Sequence, residues 1–132
     1  MRAPAKINLC LDVRGRRPDG YHDVAGVMQA LELHDLVTLS PHPSGDSPLL
    51  ERVTLRDGIG GPVPAGDENL IVRALRLLGE RVGRPLRLRV ALEKRIPVAA
   101  GLGGGSSDAA AALVGAVRLL DLPVSQEALA EV

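Results

Sequence analysis

Between Pro97 and Asp108 the chain reads Pro-Val-Ala-Ala-Gly-Leu-Gly-Gly-Gly-Ser-Ser-Asp, with glycine at 101, 103, 104 and 105. A strand-like segment, Leu86 to Glu93, precedes this run, and an alanine-rich stretch, Ala109 to Leu120, follows it as a predicted helix. A glycine-rich turn that delivers the chain to a helix N-terminus is a geometry for holding phosphate. Without Cβ atoms, successive backbone N–H groups can point at one anion, and the helix dipole adds partial positive charge. Ser106 and Ser107 offer hydroxyls to a phosphate or a metal, and either they or Asp108 can cap the helix. The run is not G-x-G-x-x-G, because Ser106 takes the third glycine position, and no lysine follows to make G-x-x-x-x-G-K-[ST]. The competing readings are a flexible linker or a turn that only packs helix on strand; the flanking strand and capped helix favour the phosphate loop.

Two scarcities add to this. Of sixteen basic residues only Lys6 and Lys94 are lysine, which singles out two positions for an ammonium, although chance also produces such a count. Aromatic side chains are reduced to one, Tyr21, so the core must be built from Leu, Val, Ile and Ala.

The elements that position these residues follow from periodicity. Ala5, Ile7, Leu9, Leu11 and Val13 alternate with Lys6, Asn8, Cys10 and Asp12, which predicts a half-buried strand with Lys6 and Asn8 on one face, about 7 Å apart. Arg16-Arg17-Pro18-Asp19-Gly20 is turn chemistry, and Tyr21 and His22 follow it directly. Further strands are predicted over Val27 to Leu33, Leu36 to Leu39 and Val53 to Leu55, with loops at His42 to Pro48 and Gly58 to Gly66 and a turn at Asp57-Gly58. Asp67 is expected to cap a helix whose apolar stripe is Leu70, Ile71, Ala74, Leu75, Leu77, Leu78 and Val82, with Gly83 as its stop. Asp121 to Pro123 ends the second helix, and Ser125 caps a last one that runs out at Val132, an ending that reads as truncation. Strands first, then helix, strand, loop and helix, predict an α+β fold in one domain rather than a doubly wound parallel sheet.

Composition excludes several functions. Sixteen acidic residues cancel the sixteen basic ones, which leaves no electrostatic footprint for nucleic acid and no basic tail for a membrane surface. No apolar run approaches the ~20 residues needed to span a bilayer, and the start of the chain lacks the order of a signal peptide. One cysteine, Cys10, expected as a small packed side chain, makes a reducing cytoplasm the default location. His34 and His42 read as surface residues, and no Cys/His metal cluster is apparent.

Ala3-Pro4-Ala5-Lys6-Ile7-Asn8-Leu9, Pro18-Asp19-Gly20-Tyr21-His22, Asp67-Glu68-Asn69-Leu70-Ile71, Lys94-Arg95-Ile96-Pro97 and Gly101 to Asp108 resemble, in order and spacing, the GHMP kinase superfamily. The resemblance implies the N-terminal, ATP-binding domain of a two-domain kinase, residues 1–132, with a fold like the second domain of ribosomal protein S5 and a truncated C-terminal end. It implies ATP with Mg2+, and γ-phosphoryl transfer to the 2-hydroxyl of a diphosphocytidyl-methylerythritol in the non-mevalonate isoprenoid pathway. By the same resemblance Lys6 is catalytic. Pro97, Val98, Ala99, Ala100, Gly101, Leu102, Gly103, Gly104, Gly105, Ser106 and Ser107 form the ATP phosphate loop, with Asn69 and Lys94 near the nucleotide. Asn8, Tyr21 and His22 contact the substrate, Tyr21 by stacking on the cytosine. Each has a plainer alternative: a solvated lysine, a polar strand residue, a tyrosine anchoring its own turn, a first-turn asparagine. Glu93 and Asp108 are the carboxylates closest to the loop, and Asp108 reads as a cap rather than a base. The family's catalytic aspartate falls after residue 132, so no residue of this chain takes that role. Expected partners are a small-molecule substrate and, through the uncovered domain face, a second copy. The rival readings are another GHMP small-molecule kinase, against which the Tyr21-His22 pair speaks, and a non-catalytic S5-like binding module, which zero net charge and a lone aromatic support poorly.

Overall fold

In a computed structural model, which describes residues 1–43, 48–56, 61–64 and 66–132, period-two segments assemble into a four-stranded sheet backed by helices. Strand β1 (Arg2–Arg16) pairs antiparallel with β2 (His22–Pro41), β2 pairs antiparallel with β4 (Leu88–Lys94), and β3 (Leu49–Leu55) lies parallel on the other side of β4. The sheet order is therefore β1-β2-β4-β3. This is the expected α+β architecture. Along β4 burial alternates residue by residue, with Leu88, Val90, Leu92 and Lys94 turned to the helices. Helices α1 (Leu70–Arg81) and α2 (Gly104–Leu120) cover that face, and the short α3 (Gln126–Leu129) follows. The core joins Leu75 and Leu78 of α1 and Ala112 and Ala116 of α2 to Leu88, Val90 and Leu92.

With no bulky aromatics to fill a wide gap, α2 approaches the sheet closely. A Cβ at Gly115 would stand 2.5 Å from Cδ1 of Leu39, so glycine there sets the helix-to-sheet distance.

Several boundaries differ from the sequence reading. Val27 to Leu33 and Leu36 to Leu39 are one continuous strand, because no glycine or proline separates them. β1 extends past the expected Ala5 to Val13 at both ends, since β2 supplies backbone partners beyond the core, and β3 starts earlier than Val53. The β1–β2 ribbon leaves the body of the protein after Ile7. Only Ala3 and Ala5 of its alternating set are buried, while Leu9, Leu11 and Val13 are 61%, 54% and 58% exposed. Cys10 is exposed for the same reason, not packed as expected. Register shifts between Pro4/Lys6, Asn8/Cys10 and Val13/Gly15 break the ribbon into short regular stretches.

The first helix is capped by Asn69, not by Asp67. Asp67 falls in a 3₁₀ turn (Gly66–Glu68) and pairs with Arg76 at 2.6 Å. Gly83, at φ 70°, follows the helix as expected, and Ser125 caps α3 by accepting from Ala128 N. The Asp57-Gly58 turn and parts of the two predicted loops lie outside the described residues. Among the described residues no helix is long and apolar enough to cross a membrane.

Candidate active site: a glycine loop between a lysine and a buried ion triad

β4 ends at Lys94 and α2 begins at Gly104, so the helix takes in Gly104 to Asp108 instead of starting at Ala109. Between them Ala99, Gly101 and Gly103 have φ of 59°, 73° and 70°, while Val98, Ala100 and Leu102 stay on the negative side. Alternating handedness turns successive N–H groups to one side and makes a concave nest for an anion. Among the described residues, the N–H groups of Val98 to Gly103 have no backbone or side-chain acceptor. The first turn of α2 points the same way, because its N-cap, Gly103, carries no capping side chain. That corrects the expectation that Ser106, Ser107 or Asp108 caps the helix. The serines lie within the first turn, and a side-chain cap would compete with an anion for the same donors.

Above the nest is a cleft of about 330 Å³. Pro97, Val98, Ala99, Ala100, Gly101, Leu102, Gly103, Gly104, Gly105 and Ser106 line one side; Val63, Pro64, Leu70 and Ile71 supply an apolar wall opposite. Donors on one side and an apolar wall on the other match an amphipathic ligand such as a nucleotide.

Lys6 comes to the loop from β1. Its backbone N–H donates to Leu102 O at 3.0 Å and its Nζ to Gly101 O at 3.3 Å. A Cβ at Gly103 would stand 3.2 Å from both Cγ and Cε of Lys6, so the lysine stem lies directly on the loop. Asn8 pairs with Met28 two steps beyond the Lys6↔Ala30 pair with no register shift between them, which keeps both on one face as expected.

Tyr21 and His22 are elsewhere. They occupy the tip of the ribbon, where His22 pairs with Arg16, and roughly 30 Å of strand separates that tip from Lys6. The tip turn is held by Gly20 N to Arg17 O at 3.0 Å and Tyr21 N to Asp19 Oδ1 at 3.1 Å. The Tyr21 ring is therefore not needed to anchor its turn and stands 75% exposed. A ligand that touches both Lys6 and Tyr21 must be extended, and the ribbon's bulges are where it would bend toward the loop.

Asn69 and Lys94 both border the cleft with occupied side chains. Asn69 accepts from Ile71 N and donates to Pro64 O, each at 2.9 Å, which is the helix-terminus role that sequence left open. Lys94 is 4% exposed and its Nζ donates to Asp35 Oδ2 and, at 2.8 Å, to Asp108 Oδ2. Its ammonium is thus held between two carboxylates. Burial acts to lower its pKa, but the bonds and charges of Asp108 and Asp35 outweigh burial and raise it, so it stays protonated. Asp108 is buried hard enough that its pKa rises to about 7 despite Lys94, and its Oδ1 has no partner. Glu93 faces away and pairs with Arg95 at 2.7 Å.

Asp35 is the residue that sequence reasoning missed. Fully buried, it accepts from Arg95 N at 2.5 Å and Ile96 N at 2.8 Å through Oδ1. The available signal was a lone carboxylate between apolar residues in Leu33-His34-Asp35-Leu36-Val37. His42 likewise keeps Nδ1 buried without a partner, so it is not wholly a surface residue.

Residues 69–132 match the family described as GHMP kinases N terminal domain. The chain is 53% identical over 116 residues to 4-diphosphocytidyl-2-C-methyl-D-erythritol kinase of Pelotomaculum thermopropionicum, covering 85% of this chain and 37% of that protein. It is 47% identical to the enzyme of the same name from Geobacter metallireducens, with 100% of this chain and 44% of that protein covered. A crystal structure of 4-(cytidine 5'-diphospho)-2C-methyl-D-erythritol kinase superposes with a TM-score of 0.74 at 43% identity, over 99% of this chain and 44% of that one. The chain thus spans less than half the length of these relatives. Residues 69–132 thus carry the N-terminal domain of the GHMP kinases, and nearly the whole chain has the fold of the solved kinase.

Proposed function

We propose that this chain is the nucleotide-binding part of a kinase that phosphorylates the 2-hydroxyl of 4-diphosphocytidyl-2-C-methyl-D-erythritol, in the cytoplasm, with ATP and Mg2+. The observation that carries the reading is the meeting of Lys6 with a nest of unpaired N–H groups, in a chain about half identical to relatives of that name.

In the proposed reaction the acceptor oxygen attacks the γ-phosphorus, the bond from that phosphorus to the β–γ bridging oxygen breaks, and ADP leaves. The nest and the α2 N-terminus take the charge of the phosphates, and Lys6 offsets charge on the group in transfer and lowers the pKa of the attacking hydroxyl. The hydroxyl proton leaves to a general base as the new P–O bond forms. Ser106, which lines the cleft in the first turn of α2, would offer its hydroxyl to Mg2+, which would offset charge on the phosphates.

Asn8, on the face of Lys6, would orient the acceptor, and Tyr21 and His22 would take the cytosine. A non-catalytic module on the same fold would have no use for a lysine stem laid on an unfilled nest. Calorimetric titration of the full-length protein with ATP, with and without the diphosphocytidyl substrate, tests the proposal. Saturable binding of both and formation of ADP support it; nucleic-acid binding without ATP binding points to the module.

A further inference from the structure

The glycine loop has two ends, and one buried carboxylate reaches both of them. On the strand side the β4 ladder to β2 ends with the Leu36↔Glu93 pair, and the next N–H groups, Arg95 and Ile96, have left the sheet. Asp35 Oδ1 accepts from both, at 2.5 Å and 2.8 Å, and so continues the sheet's hold for two residues into the loop. On the helix side Asp35 Oδ2 accepts from Lys94 Nζ, which passes on to Asp108 Oδ2 at 2.8 Å, inside α2. All three residues are at most 4% exposed. The two ends are also pressed together, because a Cβ at Gly104 would stand 3.1 Å from Ile96 Cγ2 and 3.2 Å from Lys94 Nζ.

We propose that Asp35 is a positioning residue for phosphoryl-donor binding, acting through Lys94 and Asp108 to fix both ends of the 97–103 loop so that its N–H groups stay aimed at one anion. The proposal rests on the kinase reading above for the identity of that anion. Lys6 holds the carbonyls of Gly101 and Leu102, but the strand-side half of the loop, 97–100, depends on how the chain leaves β4. A nest works only if its donors converge before the ligand arrives, and small misplacement of such donors is costly. Two carboxyl groups on one ammonium also make the staple hard to imitate. An asparagine at position 35 has one acceptor oxygen and one donor nitrogen, so it can serve the two N–H groups or the lysine, not both.

The test uses the full-length protein as wild type, Asp35→Asn and Asp108→Asn. ATP and inorganic tripolyphosphate are the probes in calorimetry, with KM for the acceptor and NMR backbone order parameters at 98–103 as further readouts. The expected result for Asp35→Asn is roughly 10- to 100-fold weaker binding of both probes, an unchanged acceptor KM, and order parameters that fall at 98–103 but not in the sheet. Wild-type affinity for both probes in folded Asp35→Asn, or equal loss toward donor and acceptor, overturns the proposal. If Asp35→Asn does not fold, Asp108→Asn decides by the same comparison, since it keeps the two N–H bonds and removes the helix-side ion pair. A wild type that binds neither probe defeats the kinase reading instead. The order-parameter comparison then stands alone, and unaltered values at 98–103 in both variants overturn the positioning role.

Discussion

Gly104 and Lys94 stand so close that any side chain at the helix start would press on its neighbours: a Cβ on Gly104 would be 3.2 Å from Lys94 Nζ and 3.1 Å from Ile96 Cγ2. The backbone there is in the ordinary helical range, so the demand for glycine is steric and not conformational. Gly104→Ala should be accommodated by shifts of a few tenths of an ångström and weaken ATP by no more than about 1 kcal/mol, whereas Gly104→Val should overpack the junction by about 1–3 kcal/mol and remove measurable nucleotide binding. Calorimetry with ATP checks both; unchanged affinity in Gly104→Val would mean the phosphates bind elsewhere.

Asp108 gives the fold a pH dependence with a definite sign. Its carboxyl titrates near 7 when folded, against 3.8 as the ordinary value, so between those pH values the folded state binds more protons than the unfolded one. Stability attributable to Asp108 must therefore fall as pH rises, by about 1 kcal/mol between pH 6 and pH 8. Lys94 titrates above this window and adds no slope within it. Urea denaturation of wild type and Asp108→Asn at the two pH values measures the difference. The variant should lose this component of the slope, and an identical slope in both proteins contradicts the assignment.

The exposed ring of Tyr21 should select for a pyrimidine by stacking. Tyr21→Ala should weaken the diphosphocytidyl substrate by roughly 1–3 kcal/mol and leave ATP affinity as it was. Because the ring supports neither its turn nor the core, the melting temperature should not change. An equal loss for ATP would place the nucleotide base at the ribbon tip.

On one face of the ribbon the apolar side chains Leu11, Val13, Val24 and Met28 are all more than half exposed. Contiguous apolar surface of this kind marks an interface. The 132-residue chain should therefore self-associate with rising concentration, and Leu11→Lys with Met28→Lys should reduce this without a change in melting temperature. Sedimentation velocity over a concentration series is the check; a strictly monomeric wild type refutes it.

What was legible in the sequence was local. The glycine run, its flanking strand and the Lys6–Asn8 face are set by residues within a few positions of one another, and their motifs identified the family, whereas both helix starts differ from the expected Asp67 cap and Ala109. What was not legible depended on partners far along the chain. Asp35 meets Arg95 and Ile96 across some sixty positions, and an acidic residue in an apolar strand says that it needs partners without naming them. Lys94 and Asp108 were read as a nucleotide contact and a cap because each fits such a role locally; only the fold brings them to one another. The reach of the ribbon was missed for the opposite reason, since alternation in β1 continues past the point where a core exists to receive it.

The central claim is that Lys6, laid on the glycine loop, acts on the phosphoryl group in transfer. The most direct measurement is steady-state kinetics of Lys6→Ala in the full-length protein. The account predicts a kcat lower by something on the order of 10²–10³, with KM for ATP and for the acceptor little changed, because the lost interaction belongs to the transition state. A raised KM with kcat preserved would contradict it and reduce Lys6 to a binding residue.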